Sequence, residues 1–395
     1  MKLINNRFYF DFNATSPLDE RVQARLQAGD FPFANPASLH TSGREARKAV
    51  QEVSQYLLNL YKLQSSHDVI FHSGASEGIN AFFKGVAFDA FRSKKKLSFF
   101  FSTVDHAAVF QLESFLKSLG HDVYFFTPDK KGDLSKDKWD ELVSTMERVY
   151  LSQSENSIYV NWTWVNNETG VVWPLEEILK LKNKFQCFVH VDAVQTIAKI
   201  AEWKMLISEL DAYTYSAHKF GALKGVGFTL IHKTFPWSPL IHGGSQQDGK
   251  RAGTENAIGV LSIKWALDHI LEIENFDELI LAKNTIEKSL IDLVKDNGEV
   301  IAKDSEKRNG NTIFLLIRKA KAEVLQAAFD MNGVELSTGS ACSSGVIKEN
   351  RVLVSMGYTA EESRQALRFS FSPFMKHHEA IKFVEKITSV LKKFV

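Results

Sequence analysis

Cysteine is scarce in this chain: 395 residues contain only Cys187 and Cys342. Two thiols cannot form a disulfide framework, so the fold must rest on its core. No apolar run approaches the length that crosses a bilayer. Met1 to Phe10 also lacks the apolar stretch of a secretory leader. Neither sign of charge is in excess, since 48 Lys and Arg against 47 Asp and Glu leave a net +1. That balance argues against a nucleic-acid stripe or a polybasic membrane anchor. The strongest basic run, Lys94-Lys95-Lys96, reads as an exposed loop. Internal repeats and low-complexity segments are absent. The expectation is a cytoplasmic protein with no direct nucleic-acid partner and no membrane association.

What is present is apolar and rich in phenylalanine. Hydrophobic residues make up 44% of the chain and Phe alone contributes 30, read as core filling. The length suits a large domain with a smaller one. Short apolar runs alternate with helical stretches from about 45 to 235. Predicted strands are Val69–Phe71, Leu97–Ser102, Val123–Phe126, Ile158–Val165, Phe188–Val191, Tyr213–Tyr215 and Gly227–Ile231. Such alternation predicts an α/β sheet covered on both faces. Beyond residue 257 the pattern changes to long helices with strands at Asn311–Ile317 and Leu367–Phe371, a smaller α+β unit.

In open α/β sheets, ligands bind beyond the carboxyl ends of the strands. The polar residues just after each strand are therefore the candidates. Ser73-Gly74-Ala75-Ser76 opens a helix and offers N–H groups and a hydroxyl to a phosphate. His106 follows the second strand, with a ring that can stack on a flat cofactor and relay protons. Asn167 lies in a turn and has an amide able to donate to a phenolate oxygen. Asp192 ends a buried strand, where a carboxylate is costly unless paired; a protonated ring nitrogen would pair it. Gln195 follows three residues later. Lys219 occupies a turn between two strands, with Ser216 and His218 beside it. An amine desolvated there becomes a nucleophile toward carbonyls. Taken singly, each of these has an ordinary structural reading as a cap, a turn or a surface group; the ordered set points to a pyridoxal phosphate site.

Two further residues stand apart. Cys342 lies in Ser337-Thr338-Gly339-Ser340-Ala341-Cys342-Ser343-Ser344-Gly345, where small residues leave a thiol without a packing role. Arg368, on a strand, suits two-point recognition of a carboxylate. Cys187 sits beside an apolar strand and reads as an inert core thiol.

These segments together resemble the cysteine desulfurases, within the class V aminotransferase group of pyridoxal phosphate enzymes. The matching stretches are Tyr9-Phe10-Asp11-Phe12-Asn13-Ala14-Thr15, Asn35-Pro36-Ala37-Ser38-Leu39-His40, Ser73-Gly74-Ala75-Ser76-Glu77, Asp105-His106 and Val165-Asn166-Asn167-Glu168-Thr169-Gly170. They continue with His190-Val191-Asp192-Ala193-Val194-Gln195, Ser216-Ala217-His218-Lys219, Arg251-Ala252-Gly253-Thr254-Glu255-Asn256 and Gly339-Ser340-Ala341-Cys342-Ser343-Ser344. The resemblance implies fold type I, with a large, mostly parallel domain over 15–256 and a small α+β domain from 1–14 and 257–395. It implies Lys219, Cys342 and His106 as catalytic residues. Ala75, Ser76, Asn167, Asp192, Gln195, Ser216, His218 and Thr254 would join Lys219 and His106 around the cofactor, the threonine reaching a neighbouring subunit's phosphate. Arg368 and Asn167 would bind substrate; no metal is expected. The implied reaction converts L-cysteine to L-alanine and leaves a persulfide on Cys342 for a sulfur-accepting protein, in iron–sulfur cluster assembly or other sulfur delivery. The implied assembly is a homodimer. A selenocysteine lyase, a transaminase or β-lyase, and a non-catalytic scaffold remain open. Lys348-Glu349-Asn350-Arg351 departs from the family, standing where a Pro-Ser pair is common.

Overall fold

A computed structural model describes residues 3–4, 7–152, 157–318, 320–338 and 349–394. Cys342 lies outside the described residues. The chain opens with two short strands, β1 (Leu3–Ile4) and β2 (Arg7–Tyr9), then α1 (Glu20–Ala28) and α2 (Thr41–Leu60). The α/β series follows as β3 (His67–His72), α3 (Ala75–Arg92), β4 (Ser98–Ser102), α4 (Ala107–Phe110), α5 (Leu112–Ser118), β5 (Asp122–Phe126) and α6 (Lys136–Ser152). It continues with β6 (Ile158–Thr163), α7 (Leu175–Phe185), β7 (Phe188–Asp192), β8 (Ala212–Ser216), a 3₁₀ turn Ala217–Lys219, and β9 (Gly227–His232). The later part contains α8 (Ala257–Ile273), α9 (Phe276–Val294), β10 (Gly298–Val300), β11 (Thr312–Ile317), α10 (Ala322–Met331), β12 (Val334–Glu335), α11 (Arg351–Ser355), β13 (Ala366–Ser370) and α12 (His377–Leu391).

Strands β3-β9-β8-β7-β6-β4-β5 form one sheet. Only β9 runs against the others, pairing antiparallel with both β3 and β8. The carboxyl ends of β3, β4, β6, β7 and β8 therefore share one edge. The predicted strands match these elements within a few residues. The run expected to reach Val165 stops at Thr163, because Val165 turns to an isolated bridge with Val172.

Side-chain alternation explains how the sheet is covered. Phe99 and Phe101 of β4 pack with Phe82 and Phe83 of α3 on one face. Phe100 points the other way, into a core with Val160, Trp162, Tyr213 and Tyr215. All are essentially buried. β10, β11 and β13 form a separate antiparallel sheet, closed by α9, α10 and α12 around Ile313, Leu315, Phe369 and Phe383. Core packing bears on the division expected at residue 257. Val260, Ile263, Ala266 and Ile270 of α8 pack into the large core, whereas α9 belongs to the smaller one. We propose Glu274, between α8 and α9, as the boundary.

A polar chain crosses five strands of the large sheet inside the core. Asn161 Oδ1 lies 2.8 Å from His190 Nδ1, and His190 Nε2 lies 2.8 Å from Thr214 Oγ1. Thr214 and Thr229 hydroxyls are 2.8 Å apart, and His72 Nε2 is 3.0 Å from Thr229 Oγ1. The Gly74 N–H donates to His72 Nδ1 at 3.3 Å. One direction of donation satisfies every link, from Gly74 N–H to Asn161 Oδ1, as buried polar groups require. Helix α3 approaches this chain closely at Gly78, where a Cβ would come within 2.5 Å of His72 Nε2.

Burial pushes the His190 pKa down to about 3, with His72 adding to the effect. The unfolded chain takes up a proton near 6.5 and the folded chain does not, so this stabilisation is full above 6.5 and declines as pH falls toward 3. In urea denaturation, His190→Gln should therefore be less stable than the wild type at pH 7.5. The gap should narrow by about 2 kcal/mol between pH 6.5 and 5.0, at about 1.4 kcal/mol per pH unit. A gap independent of pH would contradict a neutral, buried His190.

Candidate active site

The strand ends bring most of the expected residues to one edge. Lys219 closes the 3₁₀ turn after β8, and its ammonium donates to the backbone carbonyls of Asn13 and Ala14, both at 2.8 Å. Burial lowers its pKa to about 8; Arg368 adds to the fall, while Asp11 and Asp192 oppose it. Asp192, at the end of β7, is 7% exposed. It accepts from Val194 N–H at 3.1 Å and forms no ion pair among the described residues. Burial raises its pKa to about 6, with Val194 N–H and Lys219 pulling it down. A carboxylate so placed lacks the partner that its burial calls for.

Helix α3 starts at Ala75, directly after Gly74, whose φ of 154° is a conformation that side chains disfavour. A Cβ there would lie 3.6 Å from Ser216 Oγ, at the end of β8. The turn that opens α3 and Ser216 are thus close neighbours. Glu77 in the same turn binds Arg251 at 2.8 Å and accepts from Ser73 N–H at 2.8 Å. His218 Nδ1 lies 3.0 Å from Thr15 Oγ1, and burial lowers its pKa to about 4. Thr254 is exposed, in the segment leading to α8.

His106 caps α4, its Nδ1 accepting from Ala108 N–H at 3.1 Å. Part of the residue's surface stays in solvent. The packing of neighbouring groups around the ring lowers its pKa to about 4, helped by the positive charges of Lys219 and Arg351. The preceding Asp105 is fully buried, bound by Ser102 N–H at 2.8 Å and Thr163 Oγ1 at 2.7 Å, and burial raises its pKa to about 7.

Two expected contacts are engaged within the chain. Gln195 donates to the Asn13 carbonyl at 2.9 Å and accepts from Lys199. Arg368, 4% exposed, binds Asp11 Oδ1 at 2.8 Å and the Asn167 carbonyl at 3.1 Å, while its Nε is buried without a partner. The open fork expected of Arg368 is thus closed on Asp11. Asn167 contributes that carbonyl, and its half-buried side chain makes no hydrogen bond among the described residues. Cys187 is buried and its thiol is pushed up to about 12 by burial, as an inert core thiol should be.

Sequence reasoning passed over Asn13, Lys199 and Arg351. Lys199 is 1% exposed and has only amide oxygens as partners, those of Asn13 and Gln195. Burial drives its pKa well below that of an ordinary lysine, and Lys219 and Arg368 add to this. Its position in the apolar run Ile197-Ala198-Lys199-Ile200 was the available signal.

Comparison with known proteins bears on this edge. The aminotransferase class-V family profile matches residues 8–383. A cysteine desulfurase, IscS, from Dictyoglomus turgidum is 31% identical over 394 residues, covering 98% of this chain and 94% of that protein. The chain belongs to the cysteine desulfurase family. A putative cysteine desulfurase of Bacillus subtilis is also 31% identical, over 92% of this chain and 93% of its own length. Among solved structures, a NifS-like protein superposes with a TM-score of 0.84 at 28% identity, covering 98% of this chain and all of that one. The fold is therefore shared over nearly the whole chain.

A lysine with a pKa near 8 should stand out in competitive acetylation of the cofactor-free chain. Lys219 labelling, followed by peptide mass spectrometry, should reach half its plateau near pH 8. Half-maximal labelling near 10.5, as for surface lysines, would show that its site does not depress it.

Proposed function

We propose that pyridoxal phosphate binds at this edge and that the chain desulfurates L-cysteine, passing the sulfur to Cys342. The observation that carries this reading is Asp192: a buried carboxylate without an ion-pair partner, within electrostatic reach of a desolvated lysine. A pyridinium N–H supplies the missing partner. The helix N-terminus at Ala75 and Ser76, with the Ser216 hydroxyl, would receive the phosphate. Thr254 of a second copy would complete that cradle, so the proposed unit is a homodimer. Lys219 would hold the aldehyde carbon, and the Asn167 amide the phenolate oxygen. Bound there, pyridoxal phosphate supplies an electron sink for the amino-acid Cα.

The chain's own groups do the rest. Once the substrate's amino group displaces it from the aldehyde carbon, the Lys219 amine would take the Cα proton and later return a proton to the product. Arg368 binds the substrate carboxylate, which takes the place of Asp11 on the guanidinium. A Cys342 thiolate attacks the substrate sulfur, because the thiolate is the nucleophilic form. The new S–S bond forms as the C–S bond breaks; the electron pair stays with carbon, which is protonated to give alanine. The persulfide left on Cys342 then passes to a sulfur-accepting protein. Among the described residues no helix is long and apolar enough to cross a membrane, and no cluster of metal-ligating side chains is present.

Cys342→Ala should keep the visible absorption of bound pyridoxal phosphate while sulfide release from cysteine falls by at least about 10²-fold, as expected when a nucleophile is removed. Assaying alanine and sulfide together decides the matter. Undiminished sulfide release would remove Cys342 from the mechanism.

A further inference from the structure

Arg351 opens α11, shortly after Cys342 in the sequence. Its guanidinium donates to the carbonyl oxygens of Thr103 and Asp105. It also lies over the Phe110 ring, 4.0 Å from the centroid. Thr103 to Asp105 is the turn that delivers His106 from β4, and Phe110 is the last residue of the helix that His106 caps. One side chain therefore grips the chain on both sides of His106. A planar guanidinium suits this double acceptance and the stacked ring; an ammonium cannot reproduce both. The adjacent Asn350 caps α11 through Leu353 N–H and donates to Glu168. The start of α11 is thus fastened to the turns after both β4 and β6.

No carboxylate forms an ion pair with Arg351 among the described residues. Glu168 and Asp105 attract it from a distance, but each carboxyl is held by other donors. Lys219 faces His106 from the turn after β8, and Asp192 acts from β7 on Asp105. Cations thus dominate the field at the ring. Hydrogen bonding acts in the same sense: Nδ1 accepts from Ala108 N–H, so the neutral ring carries its proton on Nε2. Adding a second proton would break that cap and place a charge between two cations.

We propose that Arg351 is a positioning residue for the desulfurase reaction: it clamps the His106 turn and keeps that imidazole a neutral Nε2–H donor. The ring then offers a fixed hydrogen bond to whatever lies in the cleft, rather than a labile proton. The use of this donor rests on the desulfurase reading; the state of the ring does not.

The test is ¹⁵N NMR of histidine-labelled chain, with and without pyridoxal phosphate, from pH 5 to 8. His106 is assigned by its loss in His106→Gln. The wild type should show the Nε2–H tautomer and remain neutral through pH 6. Arg351→Met should raise the His106 midpoint by about one pH unit, the scale of one nearby charge. Arg351→Lys should recover part of that shift and keep the fold if Arg351→Met does not. An Nδ1–H tautomer in the wild type overturns the proposal, as does an unchanged midpoint in both variants. A clamp upheld by NMR in a chain that makes no alanine from cysteine would sink the desulfurase reading alone.

Discussion

The candidate site depends on one buried asparagine that belongs to neither of the larger sheets. The Asn13 carbonyl accepts from Lys219 at 2.8 Å and from Gln195 at 2.9 Å. Its side-chain oxygen accepts from Lys199 at 3.3 Å and Asn311 at 3.2 Å. Its amide nitrogen donates to the Asn167 carbonyl at 3.1 Å and Thr312 Oγ1 at 2.8 Å. Its N–H donates to Ser370 Oγ at 3.0 Å. Every polar atom of the residue is used, in a place where an unmet one is expensive. The lysine turn and the Asn167 turn come from the large unit, whereas Asn311, Thr312 and Ser370 come from the small one. Asn13 thus ties the position of the Lys219 amine to the seam between the two sheets.

Electrostatics follow from that seam. Lys219, Lys199 and Arg368 gather within mutual reach, and each of the two amines is depressed by burial and by its cationic neighbours. Among the described residues only Asp11 forms an ion pair in this group, with Arg368. Asp192 is buried nearby without one. An unpaired buried carboxylate beside desolvated amines is what the proposed ligand, with its ring nitrogen, would complete. The polar chain from Gly74 through His72 to Asn161 links the turn before α3 to the interior of the sheet. That chain is neutral throughout, so it can hold the turn's backbone without adding charge to the site.

Much of this was legible in the residues because the features that place the site are local. Strand ends could be read from short apolar runs, and Asp192, His106 and Lys219 each sit directly after one. The phenylalanine excess likewise appears where alternation along β4 puts it, on both faces of the sheet. What could not be read depends on pairing across long sequence separations. Asn13 acquires its role only when residues near 311 and 370 fold back onto it. Lys199 shows as an anomaly in an apolar run, but of its amide partners only Gln195 is local and Asn13 is tertiary. The packing of α8 against the large core is also tertiary, and the change in pattern at 257 marks only the end of the α/β series. The Asp11 partner of Arg368 could not be read because it lies more than 350 positions away in the sequence.

The central claim is that the amine on the turn after β8 joins the aldehyde of pyridoxal phosphate. Adding pyridoxal phosphate, reducing with borohydride and digesting the protein makes any such bond permanent and locatable by mass spectrometry. The account predicts that the phosphopyridoxyl group is found on the peptide bearing Lys219, and that Lys219→Ala abolishes the label at stoichiometric cofactor. A label confined to Lys199 or to surface lysines, with Lys219 unmodified, would contradict it.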